Sequence, residues 1–181
     1  KKLLYNGYIN APDGKKMSKS KGNVIDPLDV INQGYGADTL RTYELFIGPY
    51  DQKANWNTSA IGGVYRFLNR CWSLAFETKL EKADKNKVIR NRTIKKVTDD
   101  IYDNGFNTAV ACMMEFVNEL YKNGANEADV DALARLLKPF APHLACEMLE
   151  KLGAKDDVWP TYDESLLEDE EFELIVQVNG K

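Results

Sequence analysis

Histidine and cysteine are scarce. His143 is the only histidine, and the three cysteines, Cys71, Cys112 and Cys146, are odd in number and far apart. No Cys-x-x-Cys pair and no Cys/His spacing of the zinc-site kind occurs, so a structural metal is not expected and reduced, packed thiols are. His143 follows Pro139 and Pro142 and precedes Leu144. It is expected to pack or cap rather than to catalyse. No apolar run approaches about 18 residues and no signal peptide is visible, which predicts a cytoplasmic chain with no membrane partner. Internal repeats and low-complexity segments are absent too. There is no initiator Met, and residues 177–181 stop in what reads as a strand entering a turn. An excised piece of a longer protein is the expectation.

What is present is enough for a core. The 181 residues are 44% hydrophobic and 10% aromatic, which fits one domain or one and a half and excludes global disorder. The net charge of −4 excludes a uniformly basic nucleic-acid binder. The charge is uneven, however. Residues 1–25 hold six lysines against one acid, residues 85–96 hold six cations and no acid, and residues 156–173 hold nine acids and no cation. The two basic stretches are expected to face phosphates and the acidic one to face water.

One basic stretch carries chemistry. Residues 15–21 contain four lysines and two serines, and Gly22-Asn23 closes the run. No apolar periodicity passes through it, so a loop is predicted. Lysine is a mobile cation with three donors, suited to phosphate oxygens, and serine adds a hydroxyl. Gly22 lets backbone approach a ligand closely.

Residues 3–12 read as a short extended piece with an Asn-Gly turn, and residues 49–57 as a polar loop. Asp26 with Pro27 reads as a helix start that ends near Gly34. A second helix is expected over 38–47, stopped by Gly48-Pro49. Thr58 or Ser59 should cap a long helix reaching about residue 81, with Ile61, Val64, Tyr65, Leu68, Cys71, Trp72 and Ala75 inward. Arg66 and Arg70 sit four apart on its flank, which disfavours an isolated helix unless a shared anion faces both.

A helix over 85–103 should turn Val88, Ile94, Val97 and Ile101 inward and Arg90, Arg92, Lys95 and Lys96 outward. Further helices are expected from Asn107 or Thr108 to 122, over 127–138, and over 143–152, the last two parted by Pro139 and Pro142. Met113 and Met114 read as core filler. Residues 172–178 alternate as a strand, which cannot stand alone. The fold class is therefore mainly α: a loop region, a bundle of five to seven helices, and a terminal β-strand. The expected domains are 1–57, 58–155 and 156–181.

The order of the loop residues adds a resemblance. Lys16-Met17-Ser18-Lys19-Ser20 is identical to the KMSKS signature of class I aminoacyl-tRNA synthetases, and Lys21-Gly22-Asn23-Val24-Ile25-Asp26-Pro27 and Tyr35-Gly36-Ala37-Asp38-Thr39-Leu40-Arg41 resemble that family's continuation. Within it, the chain looks most like the bacterial leucyl-tRNA synthetases. Gly63-Val64-Tyr65-Arg66-Phe67-Leu68-Asn69-Arg70-Cys71-Trp72, Thr93-Ile94-Lys95-Lys96-Val97, Trp159-Pro160 and Val176-Gln177-Val178-Asn179-Gly180-Lys181 carry that likeness. Pro139-Phe140-Ala141-Pro142-His143 recurs among the valine, isoleucine, leucine and methionine enzymes and separates them poorly.

The resemblance implies a ligase that activates leucine with ATP and transfers it to tRNA(Leu), with Mg2+ accompanying ATP in the parent enzyme. Lys19 would stabilise the α-phosphate and leaving pyrophosphate, and Lys16 would support it. Met17, Ser18 and Ser20 would complete the ATP-binding loop. The helices of 58–155 would be the anticodon-binding domain, which here supports the tRNA body. Arg66 and Arg70 would be the first tRNA contacts, and Arg90, Arg92, Lys95 and Lys96 the second. The nucleotide-binding sheet, its HIGH motif and the editing domain would lie before Lys1. The excised chain would then be monomeric, bind no cofactor and lack activity alone. The alternatives are a valyl, isoleucyl or methionyl synthetase, or a non-catalytic helical tRNA-binding module.

Overall fold

The computed structural model describes residues 4–154 and 158–167. The strand expected over 172–178 lies outside them. The chain begins with β1 (Ile9–Asn10) and leads through the lysine loop into α1 (Pro27–Val30). The Asp26 side chain accepts from the Leu28 amide, and Pro27 occupies the first helical position, as the sequence predicts. A π-helical turn, Ile31–Tyr35, joins α1 to α2 (Gly36–Phe46). The kink is made by Gly34 and Gly36, both at positive φ (94° and 77°), a region that costs a side chain roughly 1–2 kcal/mol.

The segment read as a polar loop also holds a strand. β2 (Ala54–Asn55) pairs parallel with β1, with Ile9 opposite Ala54 and Asn10 opposite Asn55. The amides of Ala54 and Trp56 donate to the carbonyls of Tyr8 and Asn10. Gly7 sits so close to this return segment that a Cβ there would fall 1.8 Å from the Gln52 carbonyl oxygen. Only glycine permits that approach.

α3 (Thr58–Phe76) is capped by Asn57, whose side chain accepts from the Ser59 amide, one residue earlier than expected. Its inward stripe is Ile61, Val64, Phe67, Leu68, Cys71, Leu74 and Ala75. Tyr65 and Trp72, expected inward, are instead 39% and 40% exposed. The helix turns its Phe67–Leu74 edge to the core because those side chains bury wholly in apolar surroundings. Tyr65 and Trp72 keep a polar tip near water.

α4 (Lys87–Tyr102), α5 (Phe106–Asn123), α6 (Glu127–Leu137) and α7 (Pro142–Lys151) complete the bundle. α4 packs on α5 and α6, α6 on α7, and α3 on α7. Val88, expected inward, is 45% exposed. α6 opens with a reciprocal cap between Asn126 and Asp129. Pro142 begins α7, and the carboxylate of Asp38 on α2 caps it by accepting the Leu144 amide at 2.8 Å. Nδ1 of His143 lies 2.7 Å from the same carboxylate while the ring stays largely exposed. His143 thus braces a cap and is not itself packed.

The core is continuous. Val30, Leu40, Tyr43 and Trp56 from the first third pack in one cluster with the buried residues of α3–α7. Tyr43 and Trp56 meet edge to face at 5.0 Å. The Tyr43 hydroxyl accepts from the Asn57 amide and donates to its carbonyl, pinning α2 to the start of α3. The lysine loop is therefore built onto the bundle, not hung from it. The methionines divide: Met113 is fully buried, and Met114 packs at the margin.

Candidate functional site

The lysine loop is ordered by its own backbone and by one asparagine. The Ala11 amide donates to the Lys15 carbonyl, which closes the entry. Met17 turns inward and packs against the core. Lys19–Lys21 form a single 3-10 turn that ends at Gly22, φ 62°. The predicted loop is thus a loop with one helical turn inside it. The Ser18 amide donates to Asn23 Oδ1 at 2.8 Å, and Asn23 Nδ2 donates to the Lys16 carbonyl at 3.3 Å. The Ser18 and Ser20 hydroxyls lie 2.8 Å apart.

This arrangement fixes the backbone and frees the cations. Lys16 and Lys19 are both exposed. Lys16 Nζ rests 4.9 Å above the Tyr8 ring, a contact worth about 0.5–1 kcal/mol at an exposed site and so readily left for a phosphate. Two mobile ammonium groups on an anchored loop can meet an anion from one side. Among the described residues no cluster of three or more His, Cys, Asp or Glu side chains could hold a metal, so none of them is assigned to the Mg2+ that would travel with ATP.

The basic candidates on the helices divide sharply. Arg66 on α3 is exposed and has no ion pair among the described residues. Its guanidinium lies over Gly62 and Gly63, with the Tyr35 hydroxyl also close to Gly62. Arg70 is partly committed: it donates to Asn118 Oδ1 at 2.6 Å and stacks 4.5 Å above the Tyr121 ring of α5.

Arg90 corrects the expectation of an outward phosphate contact. It pairs with Asp84 through two hydrogen bonds, 2.7 and 2.8 Å, and with the fully buried Asp129 at 2.6 Å. A guanidinium that compensates a buried carboxylate is not available to a ligand. Its charge could not show this from sequence, because both acids come from other segments. Lys95 and Lys96 pair with Asp99 and Asp100 one turn along.

The described part of the connector docks on the bundle through neutral groups of its own. The Trp159 indole donates to Thr98 Oγ1 at 2.9 Å, and the Asp163 amide donates to Asn91 Oδ1 at 2.7 Å. Arg135 donates to the Val158 carbonyl. Residues 158–167 lie along α4, where Asp163 and Glu164 remain exposed; the other acids of the connector lie outside the described residues.

Sequence reasoning missed Asn23, Tyr8 and the exposed Tyr65–Trp72 edge. Asn23 could have been found as a side chain with both donor and acceptor immediately after a glycine turn. The other two depend on tertiary placement.

The comparisons agree with this geometry. Residues 1–57 match the family model of class I tRNA synthetases (I, L, M and V), and residues 89–181 match that of the anticodon-binding domain of tRNA ligases. The chain belongs to the class I tRNA synthetases, with their anticodon-binding domain. A solved structure similar to it is the LeuRS of Agrobacterium radiobacter K84 (agnB2) in a ternary complex with tRNA and LeuAMS. The two are 33% identical with a TM-score of 0.76, over 90% of this chain and 24% of that one. Methionyl-tRNA synthetase of Mycobacterium tuberculosis, solved with methionyl-adenylate, is 20% identical with a TM-score of 0.58, over 77% of this chain and 36% of that one. The latter likeness is one of fold. The chain spans about a quarter of the LeuRS length.

Proposed function

We propose that this chain is the signature-loop and tRNA-supporting portion of a leucine–tRNA ligase acting as a monomer in the cytoplasm. One observation carries the reading: Lys16 and Lys19 stand exposed on a loop that the bundle holds in a defined backbone. The likeness to a LeuRS at 33% identity over 90% of the chain supports leucine as the amino acid.

In the first half-reaction the leucine carboxylate attacks the α-phosphorus of ATP and expels pyrophosphate. Negative charge builds on the α-phosphate oxygens and the leaving group. A cation placed there is worth more in the transition state than in the ground state. Lys19 supplies that charge and Lys16 assists once it leaves Tyr8. Met17, Ser18 and Ser20 shape the loop. Exposed, unpaired lysines on a clamped backbone allow closure over ATP and reopening for product.

Arg66 is the first tRNA contact and Arg70 the second, both set on phosphate rather than on bases. Arg92, Lys95 and Lys96 follow as weaker ones, and Arg90 is withdrawn from the set. Taken alone, the chain neither aminoacylates nor edits.

The test is amino-acid-dependent ATP–pyrophosphate exchange by the full-length parent, with leucine, isoleucine, valine and methionine offered separately. Exchange with leucine alone is expected. Exchange with another of the four corrects the substrate and keeps the loop chemistry. Exchange with none overturns the catalytic reading and leaves a helical tRNA-binding module.

A further inference from the structure

The geometry points to Asn23 as a positioning residue of the lysine loop, a side chain that holds the cations' backbone in register for ATP. This rests on the reading of the loop given above and adds a residue to it. Among the described residues, no side chain of the five-residue signature bridges its own backbone, and its two serine hydroxyls meet each other. Asn23, outside the signature, does bridge it. Its carboxamide accepts from the Ser18 amide at 2.8 Å and donates to the Lys16 carbonyl at 3.3 Å. The two bonds straddle Met17, whose half-buried side chain packs against the core. An apolar anchor on one side and an amide clamp on the other fix three successive residues.

The same amide limits where Lys19 begins. The 3-10 turn runs from Ser18, whose carbonyl accepts the Lys21 amide at 3.1 Å, to Gly22 at φ 62°. Gly22 then returns the chain so that Asn23 faces the turn it follows. Removing the carboxamide leaves the Ser18 amide and the Lys16 carbonyl to water and lets the turn drift relative to Met17. Displacement of a catalytic group by about 1 Å costs up to 100-fold in rate. An amide is required because both a donor and an acceptor are used at once. Aspartate keeps the acceptor, loses the donor and adds a negative charge between the lysines. Both ends of the Asn23 carboxamide are spent on the loop backbone, so its effect passes through Lys16 and Lys19.

Asn23→Ala and Asn23→Asp in the full-length parent test this, with Lys19→Ala beside them. Pyrophosphate exchange is read as kcat and as KM for ATP and leucine, together with tRNA affinity. Hydrogen exchange is followed at the Ser18 amide. The expected result for Asn23→Ala is a kcat about 10- to 100-fold lower, an unchanged leucine KM and tRNA affinity, and a Ser18 amide that exchanges faster. Asn23→Asp is expected to keep Ser18 protection and still lose rate. Should Asn23→Ala misfold, the isosteric Asn23→Asp carries the test by itself. Wild-type kcat in Asn23→Asp, or in a folded Asn23→Ala, overturns the proposal when Lys19→Ala is impaired. If Lys19→Ala exchanges normally as well, the reading of the loop fails first.

Discussion

Arg90 joins two carboxylates that are 45 residues apart in sequence: Asp84 before α4 and Asp129 in the first turn of α6. The Asp129 side chain is 0% exposed and that of Arg90 only 11%. Asp129 also accepts from the Asn126 amide and from Asn86 Nδ2. Every member of the network is hydrogen-bonded, the condition under which a buried ion pair is tolerated. Arg90→Ala leaves the Asp129 carboxylate buried without its cation. It should lower stability by about 3–5 kcal/mol, read by urea unfolding of the chain. At a temperature where the variant is folded, its tRNA affinity should match the wild type. A large loss of tRNA affinity with unchanged stability would return Arg90 to the ligand-contact set.

The same network sets an acid limit. The Arg90 guanidinium, aided by the Asn126 side-chain carboxamide, holds the Asp84 carboxyl below its usual range. At pH values between that lowered folded value and the ordinary one of about 3.9, the unfolded chain binds the extra proton, so stability rises with pH. The contribution is complete above about pH 4 and is lost as pH falls through the folded value. Asp84→Asn should flatten this part of the acid unfolding curve and leave its neutral-pH shape alone. An unchanged acid limb in Asp84→Asn would show that the ion pair contributes nothing to it.

Lys19→Ala in the full-length parent should slow leucine-dependent pyrophosphate exchange by about two to three orders of magnitude, the scale of one lost transition-state donor. Lys16→Ala should cost less, because the Lys16 ammonium rests over the Tyr8 ring. Neither should alter tRNA affinity, since neither lies on the α3 face. A normal exchange rate in Lys19→Ala would rule out its assigned role.

Arg66→Ala should weaken tRNA binding and reduce the salt slope by about one phosphate contact, while sparing exchange and stability. Arg70→Ala should add a stability loss, because its guanidinium also ties α3 to Asn118 and Tyr121 of α5. If Arg66→Ala binds tRNA as the wild type does, with the same salt slope, the α3 face is merely hydrated.

Local chemistry made much of this legible, and tertiary chemistry hid the rest. Asp26-Pro27 and the Pro139/Pro142 break are written in residues that act on their own neighbours, and the structure realises both of them. The signature loop was visible because its order of residues is distinctive. Tyr65 and Trp72 sit at helical spacing with the true core residues, so periodicity could not separate them from Phe67 and Leu74. β2 is two residues long and exists only because Gly7 lets β1 approach. Arg90 looked like its neighbours on α4 until acids from two other segments closed on it. A carboxylate that arrives through the fold leaves no mark on the local pattern.

The connector gives the last such case and the last prediction. Trp159 and Asp163 fasten it to Thr98 and Asn91, and Arg135 holds the Val158 carbonyl. The docked segment brings the exposed Glu164 within electrostatic reach of Lys95 and the exposed Asp163 within reach of Lys87, both on α4. Trp159→Ala removes an indole hydrogen bond, worth about 0.5–1.5 kcal/mol, and the apolar contact that seats the segment. Its release should expose α4 and raise non-specific RNA affinity at low ionic strength, with a steeper salt slope than the wild type. Trp159→Phe, which keeps the packing and drops the hydrogen bond, should show a smaller rise. Filter binding of a non-cognate RNA across a salt series reads both effects. If Trp159→Ala loses stability and gains no RNA affinity, the connector is a structural strap and does nothing to the charge of α4.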